Sequence, residues 1–312
     1  MRILIEIPTW LGDAVMTTPA IENIIKYFPK AEVIIFGSNE VVKIFSLNKK
    51  IAKTLIIEKS IKKYLLNINK LKKIDLFISF RNSIYFFLIT FLLKPKKSNK
   101  YSKNYSKNIH QVEKYNDYIS SILGFKLKPG KIFLGDFNSK ISKTKQNKLL
   151  GINPGGAYGS AKRWHPDKFA EIAKKYSSSY DILIFGGKNE INDSKAIATY
   201  LDDSGVKNYT NLSGETNLIQ LIAKISILDL FITNDSGPMH IAAAFNIPTL
   251  SIFGPTNNYE TSQWLNTKSS IAKIELDCQP CKKRECPLSH NNCMKLIKPE
   301  AVIKIINHEL IS

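Results

Sequence analysis

The chain has 312 residues, room for two domains of ordinary size and too many for one small module. Its composition, 44% hydrophobic, 23% charged and 10% aromatic, is that of a packed globular protein and excludes a disordered or repetitive chain. The formal charge of +19 is unevenly spread: residues 1–145 carry 27 Lys and Arg against 10 Asp and Glu, whereas residues 146–312 carry 18 against 16. The first half therefore favours an anionic partner, whether a phosphorylated glycolipid, a membrane surface or a nucleic acid.

Glu6 interrupts the apolar run Ile3–Ile7, so the N-terminus does not read as a signal peptide and the expected compartment is the cytoplasm. Short β-branched runs follow at Val33–Phe36, Thr54–Ile57 and Leu76–Ser79, then at Leu150–Asn153, Ile182–Phe185, Leu230–Thr233 and Leu250–Phe253. Helix-length stretches lie between them, such as the one carrying Phe169, Ile172, Ala173 and Tyr176 at helical spacing. This alternation implies parallel sheets covered by helices, an α/β architecture. The apolar stretch Ile84–Leu93 has ten residues, too few for the roughly 20 that span a bilayer, and reads as a buried or interfacial helix. A lysine-rich, turn-rich segment from Lys126 to Lys148 is the candidate linker, giving domains 1–145 and 146–312.

In open α/β sheets ligands bind at the carboxyl ends of the strands, so the loops there are the candidate site. After the first strand, Pro8-Thr9-Trp10-Leu11-Gly12-Asp13 precedes a helix expected from Ala14 to about Phe28. Asp13 is either the helix N-cap or a general base. A helix N-terminus favours the ionised carboxylate, which suits a reaction whose proton leaves late. Asn153 to Trp164 combines small residues with Lys162 and Arg163, a loop suited to diphosphate although its glycine spacing is neither Walker nor GxGxxG. Glu190, after Gly186-Gly187, is placed to accept both hydrogens of a ribose diol or simply to favour a helix N-terminus. Asn234-Asp235-Ser236-Gly237-Pro238-Met239-His240 puts a second anion site at a helix start, with Pro238 at the first helical position and His240 in the first turn.

Four segments together carry a family resemblance: Trp10–Asp13 with Met16-Thr17-Thr18-Pro19-Ala20, Ala161–Trp164, Ser213-Gly214-Glu215-Thr216, and Thr233 to Ala244. Over nearly its whole length the chain resembles the bacterial lipopolysaccharide heptosyltransferases, inverting glycosyltransferases of family nine, and within them the heptosyltransferase II branch. The resemblance implies a GT-B fold, two Rossmann-like domains with parallel sheets facing an interdomain cleft, the first for acceptor and the second for donor. It implies transfer of heptose from ADP-L-glycero-D-manno-heptose to the first heptose of a lipid A–Kdo–heptose acceptor, at the cytoplasmic face of the inner membrane. Asp13 matches the family's proposed base, Lys162 the lysine on the donor phosphates, Glu190 the acid on the ribose, Asp235, Ser236, Gly237 and His240 the diphosphate loop, and Thr216 an adenine contact. No metal is essential in such a design, with Mg²⁺ at most stimulatory. Heptosyltransferase I, or a GT-B enzyme using another nucleotide sugar, is the alternative.

No Asp or Glu occurs from Leu76 to Val112, and Lys94, Lys96, Lys97, Lys100, Lys103 and Lys107 follow the apolar helix. This stretch is the expected face for an anionic, membrane-anchored acceptor, with Lys94, Lys96, Lys97 and Lys100 as candidate contacts. A nucleic-acid partner is not expected, because the basic stretches lack the aromatic pattern of RNA-binding modules. Cys278, Cys281, Cys286 and Cys293 are the only cysteines, with His290 among them. Their density admits a zinc knuckle, packed free thiols or disulfides.

Overall fold

The computed structural model describes residues 1–57, 68, 71, 73–102, 108–135 and 147–311. The chain divides into two units, Met1–Asn138 and Ser139–Ser312. The expected boundary between residues 145 and 146 lies outside the described residues, as do Lys103 and Lys107.

In the first unit the order is β1 (Arg2–Glu6), α1 (Leu11–Met16), α2 (Thr18–Tyr27), β2 (Glu32–Gly37), α3 (Asn39–Val42), β3 (Lys53–Ile56), β4 (Leu76–Ser79), α4 (Ile84–Leu93), β5 (Lys97–Lys100) and α5 (Gln111–Leu123). The strands pair in parallel in the order β3-β2-β1-β4-β5. β1 reads Arg-Ile-Leu-Ile-Glu because a central parallel strand is covered on both faces, and Ile3, Leu4 and Ile5 are fully buried. On one face Leu4, Ile34, Phe36 and Phe77 pack against Ile89 of α4, with Phe77 and Phe86 stacked at 5.2 Å between centroids. α5 is stopped by Gly124, whose φ of 82° only glycine adopts without strain.

Three expectations are corrected in this unit. The single helix from Ala14 to Phe28 is two helices, since Thr17 caps one and starts the other and Pro19 lies in the first turn of α2. The start of the supposed linker is not free: Ile132 and Leu134 are buried, Asn116 Nδ2 donates to the Leu127 carbonyl at 2.6 Å, and Phe133 N–H donates to Thr18 Oγ1 at 3.1 Å. Apolar residues alternating with lysines bind this extended stretch to α2 and α5. Of the two readings of Ile84–Leu93, the buried one is corrected, because only Ile89 among the residues of α4 is buried, and the interfacial one stands.

The second unit runs β6 (Lys148–Asn153), α6 (Pro166–Tyr176), β7 (Tyr180–Ile184), α7 (Ile191–Asp203), β8 (Tyr209–Asn211), α8 (Leu218–Ile225), β9 (Leu230–Asn234), α9 (Gly237–Ala244), β10 (Thr249–Ile252), α10 (Asn258–Thr261), β11 (Ser269–Ala272), α11 (Asn292–Lys295) and α12 (Pro299–Ile305). Its parallel strands are ordered β11-β10-β9-β6-β7-β8. Phe169, Ile172, Ala173 and Tyr176 of α6 are buried in one core with Trp164, Ile152, Ile182, Ile232 and Met294, as their spacing predicts. Among the described residues no helix is long and apolar enough to cross a membrane.

Candidate active site

Each sheet reverses its winding beside its first strand, between β1 and β4 in one unit and between β6 and β9 in the other. Such switch points open a crevice at the strands' carboxyl ends. Asp13 follows β1 at the first, and Lys162 and Asp235 follow β6 and β9 at the second, whereas Glu190 follows β7 and Lys94–Lys100 lie at the end of α4 and on the edge strand β5.

In the first unit Asp13 is the third residue of α1. The N-cap is Trp10, which makes no side-chain cap bond, so the reading of Asp13 as the cap is corrected. The carboxylate instead meets Tyr115 of α5, whose hydroxyl donates to Asp13 Oδ1 at 3.4 Å. Burial, then the charge of Asp13, raises the Tyr115 pKa well above its ordinary value, so the phenol remains a donor. Tyr115 is held in an aromatic cluster with Phe80 and Tyr101.

Beside it, Glu6 ends β1 and is paired in register with Ser79. Its buried carboxylate accepts from Ser79 Oγ at 2.5 Å and Ser83 Oγ at 2.7 Å, with Arg81 Nη1 3.6 Å away. Burial raises its pKa, and the two hydroxyls and Arg81 oppose that rise. Sequence reasoning did not assign Glu6 or Tyr115 to the site. A carboxylate closing an apolar central strand was the available signal for Glu6; nothing local signals Tyr115.

In the second unit Asp235 lies between β9 and α9. Its Oδ2 accepts from Lys162 Nζ and from Thr256 Oγ1, both at 2.6 Å. Lys162 thus bridges the loop after β6 to the loop after β9, and Thr256 brings in the loop after β10. Ser236 is the N-cap of α9 but makes no side-chain cap bond. Asn153 Nδ2 donates to its Oγ at 3.0 Å and to Thr233 Oγ1 at 3.1 Å, fixing the loop. The helix begins at Gly237, one residue before the expected Pro238, and His240 is buried in its first turn. Asn234 fastens the glycine loop by donating to the Pro154 carbonyl at 2.6 Å.

Glu190 is buried with its Oε2 accepting from Gly187 N–H at 2.7 Å. Arg163, the second cationic donor of the loop after β6, is engaged with Asp193 at 3.0 Å and lies 4.0 Å from Glu190. Gly186 leaves room for two hydroxyls, since a Cβ there would come within 2.8 Å of Ser213 Oγ and 3.1 Å of Ser194 Oγ. Both hydroxyls are buried without a hydrogen-bond partner among the described residues. The turn carrying Ser213 is pinned by Gly214 N–H donating to the Gly186 carbonyl at 2.9 Å, and Thr216 follows it, half-buried. Beyond Thr256 opens a cavity of ≈ 390 Å³ lined by Phe253, Tyr259, Lys273 and Gln279 among others.

Lys94 ends α4 in the left-handed region, Lys96 pairs with Asp75 at 2.7 Å, and Lys97–Lys100 form the edge strand β5. The zinc reading of the cysteines is corrected. Cys278, Cys281, Cys286 and Cys293 are free thiols around a cavity of only ≈ 20 Å³. Among the described residues no group of three or more His, Cys, Asp or Glu side chains is arranged to hold a metal ion. The disulfide reading is corrected as well, since all four cysteines are free thiols.

Two α/β units, each built on a parallel sheet, make up the GT-B class of fold. The E. coli ADP-heptose lps heptosyltransferase II superposes with a TM-score of 0.84 at 21% identity, covering 100% of this chain and 99% of that one. The E. coli heptosyltransferase WaaC with ADP gives a TM-score of 0.77 at 14% identity, covering 99% of this chain and 100% of that one. A lipooligosaccharide heptosyltransferase 2 of Campylobacter jejuni is 41% identical over 313 residues, 97% of each chain. The family model for glycosyltransferase family 9 (heptosyltransferase) matches residues 91–291. The chain belongs to that family.

Proposed function

We propose that this enzyme transfers heptose from ADP-heptose to the first heptose of the lipopolysaccharide inner core, with inversion and release of ADP. The observation that carries the reading is Asp235, held by Lys162 and Thr256 at the start of α9. It joins three strand-end loops into one polar cradle at the switch point of the second sheet. The name of the Campylobacter relative supports the sugar and the step.

In this reading the acceptor hydroxyl gives its proton to Asp13 as its oxygen bonds to the anomeric carbon. The bond from that carbon to the diphosphate breaks, and ADP leaves with the electron pair. Lys162 has three N–H donors, and two already go to Asp235, at Oδ2 and at the carbonyl. The third, with His240 and the N-terminus of α9 at Ser236 and Gly237, meets the charge growing on the diphosphate. That arrangement needs no essential metal, and Mg²⁺ adds to it at most. Glu190 takes the ribose hydroxyls. The orphaned hydroxyls of Ser194 and Ser213, with Thr216, take the nucleoside beyond it. The acceptor is lipid A–Kdo–heptose, met by the basic face at Lys94, Lys96, Lys97 and Lys100, and the protein works in the cytoplasm, peripherally on the inner membrane.

The test is ADP release from ADP-heptose with an acceptor of lipid A, Kdo and one heptose, against the same acceptor without heptose. Release only with the first supports the reading. Release with the heptose-free acceptor means addition of the first heptose instead, and release only from another nucleotide sugar overturns the donor.

A further inference from the structure

Nine of the ten residues of helix α4, Ile-Tyr-Phe-Phe-Leu-Ile-Thr-Phe-Leu-Leu, are apolar or aromatic, and the tenth is Thr90. Its inner side is secured by Ile89 and by Phe86 stacked on Phe77. Its outer side is open: Ile84 is 78% exposed, Phe87 59% and Phe91 75%. Positions i, i+3 and i+7 share one helix face, so these three form a single apolar strip. Large exposed apolar strips on globular proteins mark contacts with another body.

The surroundings specify which body. Lys94 ends the helix and Lys97 and Lys100 lie on the following edge strand; none has a carboxylate partner among the described residues. Lys100 Nζ sits 4.5 Å from the centroid of the Phe87 ring, at the border of the strip. The sequence from Leu76 to Val112 holds no Asp or Glu. A second copy of this chain would bring a like-charged rim against the first. An anionic bilayer complements both features, with acyl chains for the aromatic strip and headgroups for the ammonium rim.

We propose that α4 is a membrane-docking helix that lies in the plane of an anionic bilayer, with Ile84, Phe87 and Phe91 entering the acyl boundary and Lys94, Lys97 and Lys100 at headgroup level. Ten residues are too short to cross, so the helix lies on the surface. Its first turn is tied to the base-bearing edge of the sheet, since Ser83, its N-cap, donates to Glu6 at the end of β1 at 2.7 Å. Docking therefore fixes the height of that edge above the lipid. The inference deepens the proposed function and rests on its membrane-anchored acceptor.

The test uses the full chain and a variant with Phe87→Ser and Phe91→Ser, sedimented with phosphatidylcholine vesicles and with vesicles that also contain phosphatidylglycerol. Wild type is expected to partition to the anionic vesicles, less so in high salt, and the variant to partition about tenfold or more weakly. With a delipidated core acceptor carrying Kdo and heptose, the variant is expected to release ADP as wild type does. With the same acceptor embedded in anionic vesicles it is expected to fall behind. Equal partition of the two proteins, or no partition of wild type, overturns the docking helix. A wild-type dimer that the variant loses overturns it in favour of a second copy. Failure of wild type to release ADP with the delipidated acceptor strikes the heptosyl-transfer reading and leaves the partition result to decide the docking.

Discussion

The hydroxyl of Tyr115 donates to the carboxylate of Asp13 at 3.4 Å, joining residues 102 positions apart in the chain. A donor on Oδ1 helps to set the plane of the carboxylate. Tyr115→Phe keeps the ring and its packing on Phe80 and Tyr101 and removes the hydrogen bond. A long hydrogen bond is worth about 0.5–1.5 kcal/mol, so kcat should fall about 2–10-fold with little change in the KM for ADP-heptose. Steady-state kinetics with both substrates varied check this; an unchanged kcat would mean that Tyr115 only packs.

Asp13→Asn should abolish transfer, with a loss of at least about 100-fold in kcat, because an amide accepts no proton. Stability should change little, since Trp10 and not Asp13 caps α1. The lost dipole interaction is about 0.3–1 kcal/mol. Thermal melting and calorimetric ADP binding, both close to wild type, would separate a chemical role from a structural one.

What the sequence made legible follows from what each residue needs in order to be placed. β1, β2, β4, β9 and β10 are legible because central parallel strands are buried on both faces and must be apolar runs. β5 is Lys-Ser-Asn-Lys and carries no such mark, since an edge strand is held by its backbone pairing to β4 and keeps lysines to discourage further pairing. The loops bearing Asp13, Lys162, Glu190 and Asp235 are legible for a similar reason, because each directly follows a strand. Tyr115 on α5 and Thr256 after β10 reach those loops only through tertiary packing, which no local pattern records.

Thr256 and Lys162 share one oxygen of Asp235, so removing Thr256 should change how tightly Lys162 is held. Thr256→Val deletes a hydrogen bond to a buried carboxylate, worth about 1.5–3 kcal/mol. In the proposed role of Lys162, the remaining pair then competes harder with the donor phosphates for the lysine. Donor KM should rise about 3–10-fold with a smaller change in kcat, and denaturant melts should show the stability loss. A fall in kcat alone would place Thr256 at the chemistry instead.

The four thiols should differ in reactivity. Backbone N–H groups, Asn291 first at 3.4 Å, hold the Cys286 thiol below its ordinary range. Burial and the three neighbouring thiols push Cys293 up to about 11. The thiolate is the nucleophile, and at pH 8 only about one in a thousand Cys293 groups is ionised. Pulsed iodoacetamide labelling with peptide mapping should modify Cys286 first and Cys293 last, and chelators should leave both the order and the melting temperature unchanged. Protection of all four thiols that a chelator relieves would instead reveal a bound metal.

Glu6 gives the fold a pH dependence of determinate sign. Its pKa in the folded protein is raised, chiefly by burial, so the native state binds more protons than the unfolded chain between the ordinary carboxylate value and the raised one. Stability therefore falls as pH rises through that interval: it is fully present below the unfolded pKa and is lost as the folded Glu6 ionises. Glu6→Gln has nearly the same shape and cannot ionise. The melting temperature of the variant minus that of wild type should then increase from about pH 4 to about pH 7, as wild type alone takes on the buried charge. Ser79, Ser83 and Arg81 stabilise the ionised form and keep the change modest. A difference that stays constant over this range would mean that those three donors cancel the burial effect, and a difference that decreases would mean that they outweigh it.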